Sequence, residues 1–229
     1  MAAENKSPDS SQVSGRDKRL ILLTAVLTSL LGNMGFTGLN LGLPSMEREL
    51  GLSAALMGWI PLSMFMAMAA MAAPGAKLAD IWGRRRTSII GFVVSIAAFA
   101  LGALSWDAAS LLVSRVLGGF GVVVVFTNNV SMATSVYPPE KRGRVLGYTI
   151  ASVYVGLSLG PIFCGYLVQW FSWRAIFWFN AAGFIPPLIL ALIVKVEQRP
   201  AKGEKLDFRG ALLWSSAVLS LFLGLTRIT

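Results

Sequence analysis

Seven uninterrupted apolar runs constrain this chain more than any other feature; they fall at about 20–43, 53–73, 88–105, 110–135, 145–168, 175–194 and 210–227. A helix needs about 20 residues to cross roughly 30 Å of hydrocarbon, and each run is of that order. None alternates apolar and polar residues at period two, as the strands of a transmembrane barrel would. Inside lipid each backbone N–H and C=O needs a partner within the segment, so runs of this kind become helices. Composition agrees: 229 residues that are 55% hydrophobic and 14% charged, with a mean hydropathy of +0.67, are too apolar for a soluble domain of ordinary make-up. The reading is an all-α, multi-pass integral membrane protein. The first nineteen residues, MAAENKSPDSSQVSGRDKR, are polar and serine-rich and read as a disordered tail. The run after them is longer than the apolar core of a signal peptide and lacks a clear A-x-A cleavage site, so it is kept as the first helix. The expected division is a tail at 1–19, six helices within 20–194, a loop at 195–209 and a seventh helix at 210–229.

The lysines and arginines orient the helices, because cytoplasmic loops carry the excess. Sixteen of the twenty basic residues fall before helix 1 or in the loops 2–3, 4–5 and 6–7; only Arg48, Arg174 and Arg227 fall on the other side, and Arg115 falls inside helix 4. The expectation is a cytoplasmic N terminus in the cell membrane. The tryptophans fit the same layout, since their rings favour the interface: Trp59, Trp106, Trp170, Trp173 and Trp178 near outer ends, Trp82 and Trp214 near inner ones. A net charge of +9 is then met by anionic lipid, and no nucleic-acid partner is required. With one cysteine and no histidine, no metal site of the usual kind is expected, and no phosphate loop of the G-x-x-x-x-G-K-[ST] type occurs. No cofactor and no enzymatic chemistry are expected.

The stretch GAKLADIWGRRR, Gly75 to Arg86, stands where the second run stops. Its arginines alone would be positive-inside anchors. Gly75 and Gly83 free the backbone, however, and Asp80 precedes Arg84 by four residues, a spacing suited to a carboxylate and a guanidinium meeting across a tight turn between helices 2 and 3. Three further stretches accompany it in order: LLVSRVLGGFGVVV in helix 4, GLSLGPIFCGYL in helix 5 and FSWRAIFWFN at the start of helix 6.

Together these four resemble the signature motifs of the major facilitator superfamily. The helix 4 stretch is similar to l-x-x-R-x-x-q-G-x-G at Leu112, Arg115, Gly119 and Gly121; helix 5 is similar to the antiporter motif g-x-x-x-G-P-x-x-G-G at Gly156, Gly160, Pro161 and Gly165, with Cys164 in place of one glycine. The helix 6 stretch resembles the W-R-x-x-F-x-x-N of drug:proton antiporters, and Leu206 to Leu225 resembles the seventh helix of the fourteen-helix exporters. The resemblance implies a six-helix bundle of two inverted three-helix repeats plus a seventh helix, the N-terminal half of a transporter that works by alternating access. Partners implied are the bilayer, a small hydrophobic substrate, and a separate C-terminal half or a second copy. Two functions stay open: proton-coupled export of hydrophobic or cationic drug-like compounds, and a non-transporting remnant or assembly subunit.

The resemblance also implies residue roles. Gly75 admits a helix of the second bundle, Asp80 and Arg84 latch the two bundles on the cytoplasmic side, and Arg85 and Arg86 anchor the loop at anionic lipid. Arg115 either snorkels to the outer interface or faces the interior and tunes a nearby acid. Gly156, Gly160 and Pro161 either pack and bend helix 5 or shape the interface with the other bundle. Asn33, Asn40, Asn128 and Asn129 are expected to point inward, binding substrate or tying helices together, and Met57, Met64, Met66, Met68 and Met71 to pack adaptably. In helix 1, MGFTGLNLGLP resembles l-D-x-T-x-x-N-x-A-L-P, but the family's Asp falls on Gly35, and no Asp or Glu lies inside helices 1 to 6. A titrating acid must come from elsewhere.

Overall fold

The structure, a computed structural model, describes residues 13–201 and 203–226. Seven helices follow in order: α1 (Gly15–Leu50), α2 (Ala54–Trp82), α3 (Arg84–Ala103), α4 (Ala108–Ser135), α5 (Pro139–Trp170), α6 (Arg174–Ile193) and α7 (Phe208–Thr226). The first six are long and apolar enough to cross a membrane, whereas α7 offers a shorter apolar stretch, Phe208–Gly224. Residues 1–12 of the expected tail lie outside the described residues; Gly15–Arg19 already belong to α1.

Several helices outrun their apolar runs because polar caps set the ends. Ser14 caps α1, and Gly51 stops it in the left-handed region at φ 61°. Asp107 and Ser110 form a reciprocal capping box at the start of α4. The hydrogen bonds from the Ser110 hydroxyl and then its backbone N–H hold the Asp107 carboxyl below its ordinary range. The largest shift is in α2, which continues through Pro74 as far as Trp82. Gly75 and Asp80 are therefore helical, not part of a loop, and the whole turn into α3 is Gly83 at φ 118°.

Packing follows one rule of exchange. α1 packs on α5 and α6, and α4 packs on α2 and α3; α1 also meets α4, α3 meets α6, and α2 and α5 do not touch. Swapping α1 with α4, α2 with α5 and α3 with α6 leaves this list unchanged. Successive helices alternate in direction, so the exchange inverts the chain: two inverted three-helix repeats. Phe92, Phe99, Phe177 and Phe184 fill the centre, with Phe184 edge-on to both Phe92 and Phe99. Their apolar outer faces, Leu23, Phe65, Ile90 and Val93 among them, are exposed, as lipid requires.

The bundle has two unlike rims. On one, Tyr137 Oη donates to Lys18 O at 3.2 Å, and the α2–α3 turn meets the end of α6. Every described basic residue apart from Arg48, Arg115 and Arg174 sits at this rim or on its linker. On the other rim, Trp173 Nε1 donates to Glu49 Oε2 at 2.7 Å, Arg174 pairs with Glu49, and Arg174 Nη2 reaches Ser105 O at 2.9 Å. Trp173 lies at the helix end expected of it but is only 1% exposed: its indole is a buried tie between α1 and α6.

Candidate functional site

The basic rim is organised around the α2–α3 turn. Asp80 Oδ1 accepts from Arg84 Nε at 2.8 Å, both side chains being partly buried. The linker after α6 lies against this junction. Gln198 O accepts from Arg84 N at 2.9 Å, Asp80 O accepts from Ala201 N at 3.1 Å, and Lys77 pairs with Glu204. A side chain at Gly83 would meet the Glu197 carboxylate at 2.5 Å; Glu197 Oε1 in turn accepts from Arg85 N at 3.0 Å. The φ of 118° requires glycine at position 83, and the Glu197 carboxylate fills the space beside it. Glu197 and Gln198 were not singled out from the sequence; the only signal was an acid and an amide between Lys195 and Arg199 soon after α6.

Two of the expected roles change here. Arg85 is not a lipid anchor: its Nε donates to Ala191 O at 3.0 Å and its Nη2 to Leu192 O at 2.9 Å, capping the C-terminal carbonyls of α6. Gly75 is buried against Val124 of α4, 3.0 Å from where a Cβ would stand, so the close approach it permits is inside the bundle. Arg86, two-thirds exposed in its side chain and 3.7 Å from Glu197, remains free to face lipid.

Arg115 faces the interior. It is 4% exposed, its Nε donates to Ile60 O of α2 at 3.3 Å, and its guanidinium lies 5.9 Å from the centre of the Phe177 ring. Among the described residues no carboxylate pairs with it. The glycines downstream let α4 approach both neighbours: a Cβ at Gly119 would meet Met64 O at 2.6 Å, and one at Gly121 would meet Gly91 O at 2.7 Å.

The antiporter-like stretch of α5 makes the equivalent seam with α1. A Cβ at Gly156 would stand 2.5 Å from Leu30 O, and one at Gly160 would stand 2.6 Å from Met34 O. Cys164 fills the notch at Gly38 and donates weakly to Met34 O at 3.6 Å. Gly165 has only ordinary contact with Leu41, and Pro161 is exposed beside Ile162 and Phe163. At Gly35, where the resemblance would place an acid, the space for a side chain is filled by the amide of Asn180 from α6. Asn180 donates to Ile176 O at 2.9 Å, while its buried Oδ1 has no partner.

The four asparagines divide. Asn128 Nδ2 donates to Thr87 Oγ1 of α3, and Asn129 Nδ2 to Thr28 Oγ1 of α1, each at 3.0 Å; both are buried ties between helices. Asn33 is half-buried and bonds Ser29 O in its own helix, and Asn40 is exposed. Met64 and Met66 are buried, and Met57 and Met68 pack against the central cluster.

The Major Facilitator Superfamily profile matches residues 25–227, nearly all of the described bundle. This chain belongs to the major facilitator superfamily. The cephamycin export protein of Amycolatopsis lactamdurans is 31% identical over 192 residues, covering 82% of this chain and 40% of that relative. The tetracenomycin C resistance and export protein of Streptomyces glaucescens is 28% identical over 221 residues, covering 95% of this chain and again 40% of the relative. Two crystal structures of the peptide transporter POT with sulfate share the fold at TM-scores of 0.72 and 0.69, with 19% and 18% identity; they cover 90% and 91% of this chain and 45% of theirs. The chain thus spans about 40% of the length of the curated relatives it matches.

Proposed function

We propose that these residues are the N-terminal half of a secondary exporter of hydrophobic, drug-like compounds, cationic ones among them, acting by alternating access against a second six-helix bundle. The observation that carries the reading is the inverted-repeat packing, in which α5 keeps an apolar outer face, with Tyr154, Ile162, Phe163 and Tyr166 exposed along it. The export of antibiotics by similar proteins supports the substrate class. The basic rim is cytoplasmic, as the loop charges favour. Asp80 and Arg84 act there as a conformational latch, with Glu197 holding the Gly83 turn in place. Arg115 and the amides of Asn33, Asn40 and Asn128 serve the transport path. Proton coupling needs an acid in a low-dielectric site, and among the described residues each Asp and Glu of the helices lies at a rim, so the titrating carboxylate is supplied by the second bundle.

A second reading, a bundle that assembles without transporting, is favoured by one observation: Asn180 occupies the space at Gly35. Co-expression separates the two. In a pump-deficient host, these 229 residues paired with the remaining half of the tetracenomycin C exporter are expected to lower ethidium accumulation while a proton gradient is present. Alone they are expected to leave it unchanged. Assembly of the pair with no efflux favours the second reading. Orientation is tested in intact cells with an impermeant thiol reagent on chains lacking Cys164: a cysteine at Ser172 should label and one at Ser7 should not, and the reverse pattern overturns the topology.

A further inference from the structure

α7 touches only α2 among the described helices, and it does so at a defect in the α2 backbone. Pro74 lies inside α2 and has no N–H, so the carbonyl four residues earlier, Ala70 O, loses its intrahelical donor. Ser215 Oγ of α7 donates to that same Ala70 O at 3.0 Å, and Trp214 Nε1 donates to the adjoining Ala69 O at 3.2 Å. We propose that α7 is a clasp for the break that Pro74 makes in the α2 hydrogen-bond ladder: Ser215 supplies from a second helix the hydrogen bond that Pro74 cannot, and so holds α7 on α2 at that point.

Apolar packing alone gives α7 little reason to sit there. Toward the basic rim the two helices part around a cleft of about 300 Å³ lined by Pro74, Lys77, Gly210, Ala211 and Trp214. Toward the opposite rim they part again around one of about 280 Å³ lined by Met66, Ala70 and Leu219. In lipid, apolar surfaces have no driving force to leave the solvent, so helices join through close packing and interhelical hydrogen bonds. Proline is tolerated in such helices where a neighbour's serine satisfies the freed group. The turns just beyond Pro74 carry Lys77 and Asp80, which pair with Glu204 of the linker and with Arg84.

The test is a substitution cycle in the full chain, with Cys164 replaced by Ala and a reporter substitution Ala211→Cys in the rim-side cleft. The rate of its reaction with a methanethiosulfonate reagent reports separation of α7 from α2. Ser215→Ala is expected to raise the rate about threefold, the factor that corresponds to about 0.6 kcal/mol for an interhelical hydrogen bond in a membrane. Ser215→Thr, which keeps the hydroxyl, should leave the rate unchanged. In a Pro74→Ala background, where the amide at position 74 again serves Ala70 O, Ser215→Ala should add nothing. An equal rise from Ser215→Ala in both backgrounds, no rise with Pro74 present, or a Ser215→Thr chain that behaves like Ser215→Ala overturns the proposal.

Discussion

Adding one methyl to the α1–α5 seam should separate the two helices, and the structure sets how far. A Cβ at Gly156 would stand 2.5 Å from Leu30 O, where ordinary contact begins at 3.4 Å, so α1 and α5 must part locally by about 0.9 Å. A carbonyl in a helix cannot swing aside as a side-chain tip does, which places the substitution at the costly end. Overpacking of this sort costs about 1–3 kcal/mol, against which alanine gains about 1 kcal/mol in helix propensity over glycine. Gly156→Ala and Gly160→Ala are thus expected to lose roughly 1–2 kcal/mol each at the upper part of that range. At 2–4 °C per kcal/mol for a chain of this size, the midpoint of thermal unfolding in detergent falls by about 2–8 °C. Gly147→Ala, on the same helix with nothing within 4 Å of its Cβ, has the propensity gain without the clash and should hold or raise the midpoint. If all three variants melt together, the seam is not held by glycine contact and the reasoning fails.

With transport reconstituted from two halves, Asp80→Asn should impair efflux far more than Arg86→Gln at equal expression, because Asp80 is paired at 2.8 Å and Arg86 is largely exposed; equal effects would reduce the motif to an anchor. Arg115→Lys keeps the charge but cannot reproduce the Nε bond to Ile60 O and the stack on Phe177, so efflux should fall at least tenfold while the chain still inserts; unaltered efflux would remove Arg115 from the path. Cys164 is fully buried in the α1–α5 seam and should resist maleimide in the folded chain and react after denaturation in SDS; labelling of the folded chain would show the seam to be open.

The six spans were legible because hydropathy and length determine them almost without reference to tertiary structure. Their ends were not. α2 reads as finished near Ala73 because Pro74, Gly75 and Lys77 all signal a stop, yet it runs on to Trp82. Proline tends to end a helix because it lacks the N–H and its ring crowds the carbonyl four residues earlier; in a membrane bundle a neighbouring hydroxyl meets that carbonyl, and the helix continues. The polar interior was half legible. Asparagine in an apolar run must find a partner, which predicted that Asn128 and Asn129 would be buried but could not say that the partners would be Thr87 and Thr28. Nor does sequence tell a helix's bundle face from its lipid face when both are apolar. Asn40 lies on the exposed side of α1, a side that the run of apolar neighbours does not mark.

Arg85 shows why counting charges locates a rim without resolving it. A basic side chain near an anionic leaflet gains about 1 kcal/mol from the surface potential, and on that basis all three arginines after Gly83 look alike. A helix end changes the comparison. The last carbonyls of α6 have no intrahelical donors and sit at the negative end of its dipole, and a guanidinium there makes two hydrogen bonds at 3.0 and 2.9 Å. Bonds with a charged partner are worth about 1.5–3 kcal/mol each, which exceeds the lipid term. Arg84 is taken by Asp80, Arg85 by α6, and only Arg86, with its longer 3.7 Å approach to Glu197, is left to the membrane surface. Three identical residues in a row thus have three different partners, fixed by which face of the first turn of α3 each one occupies.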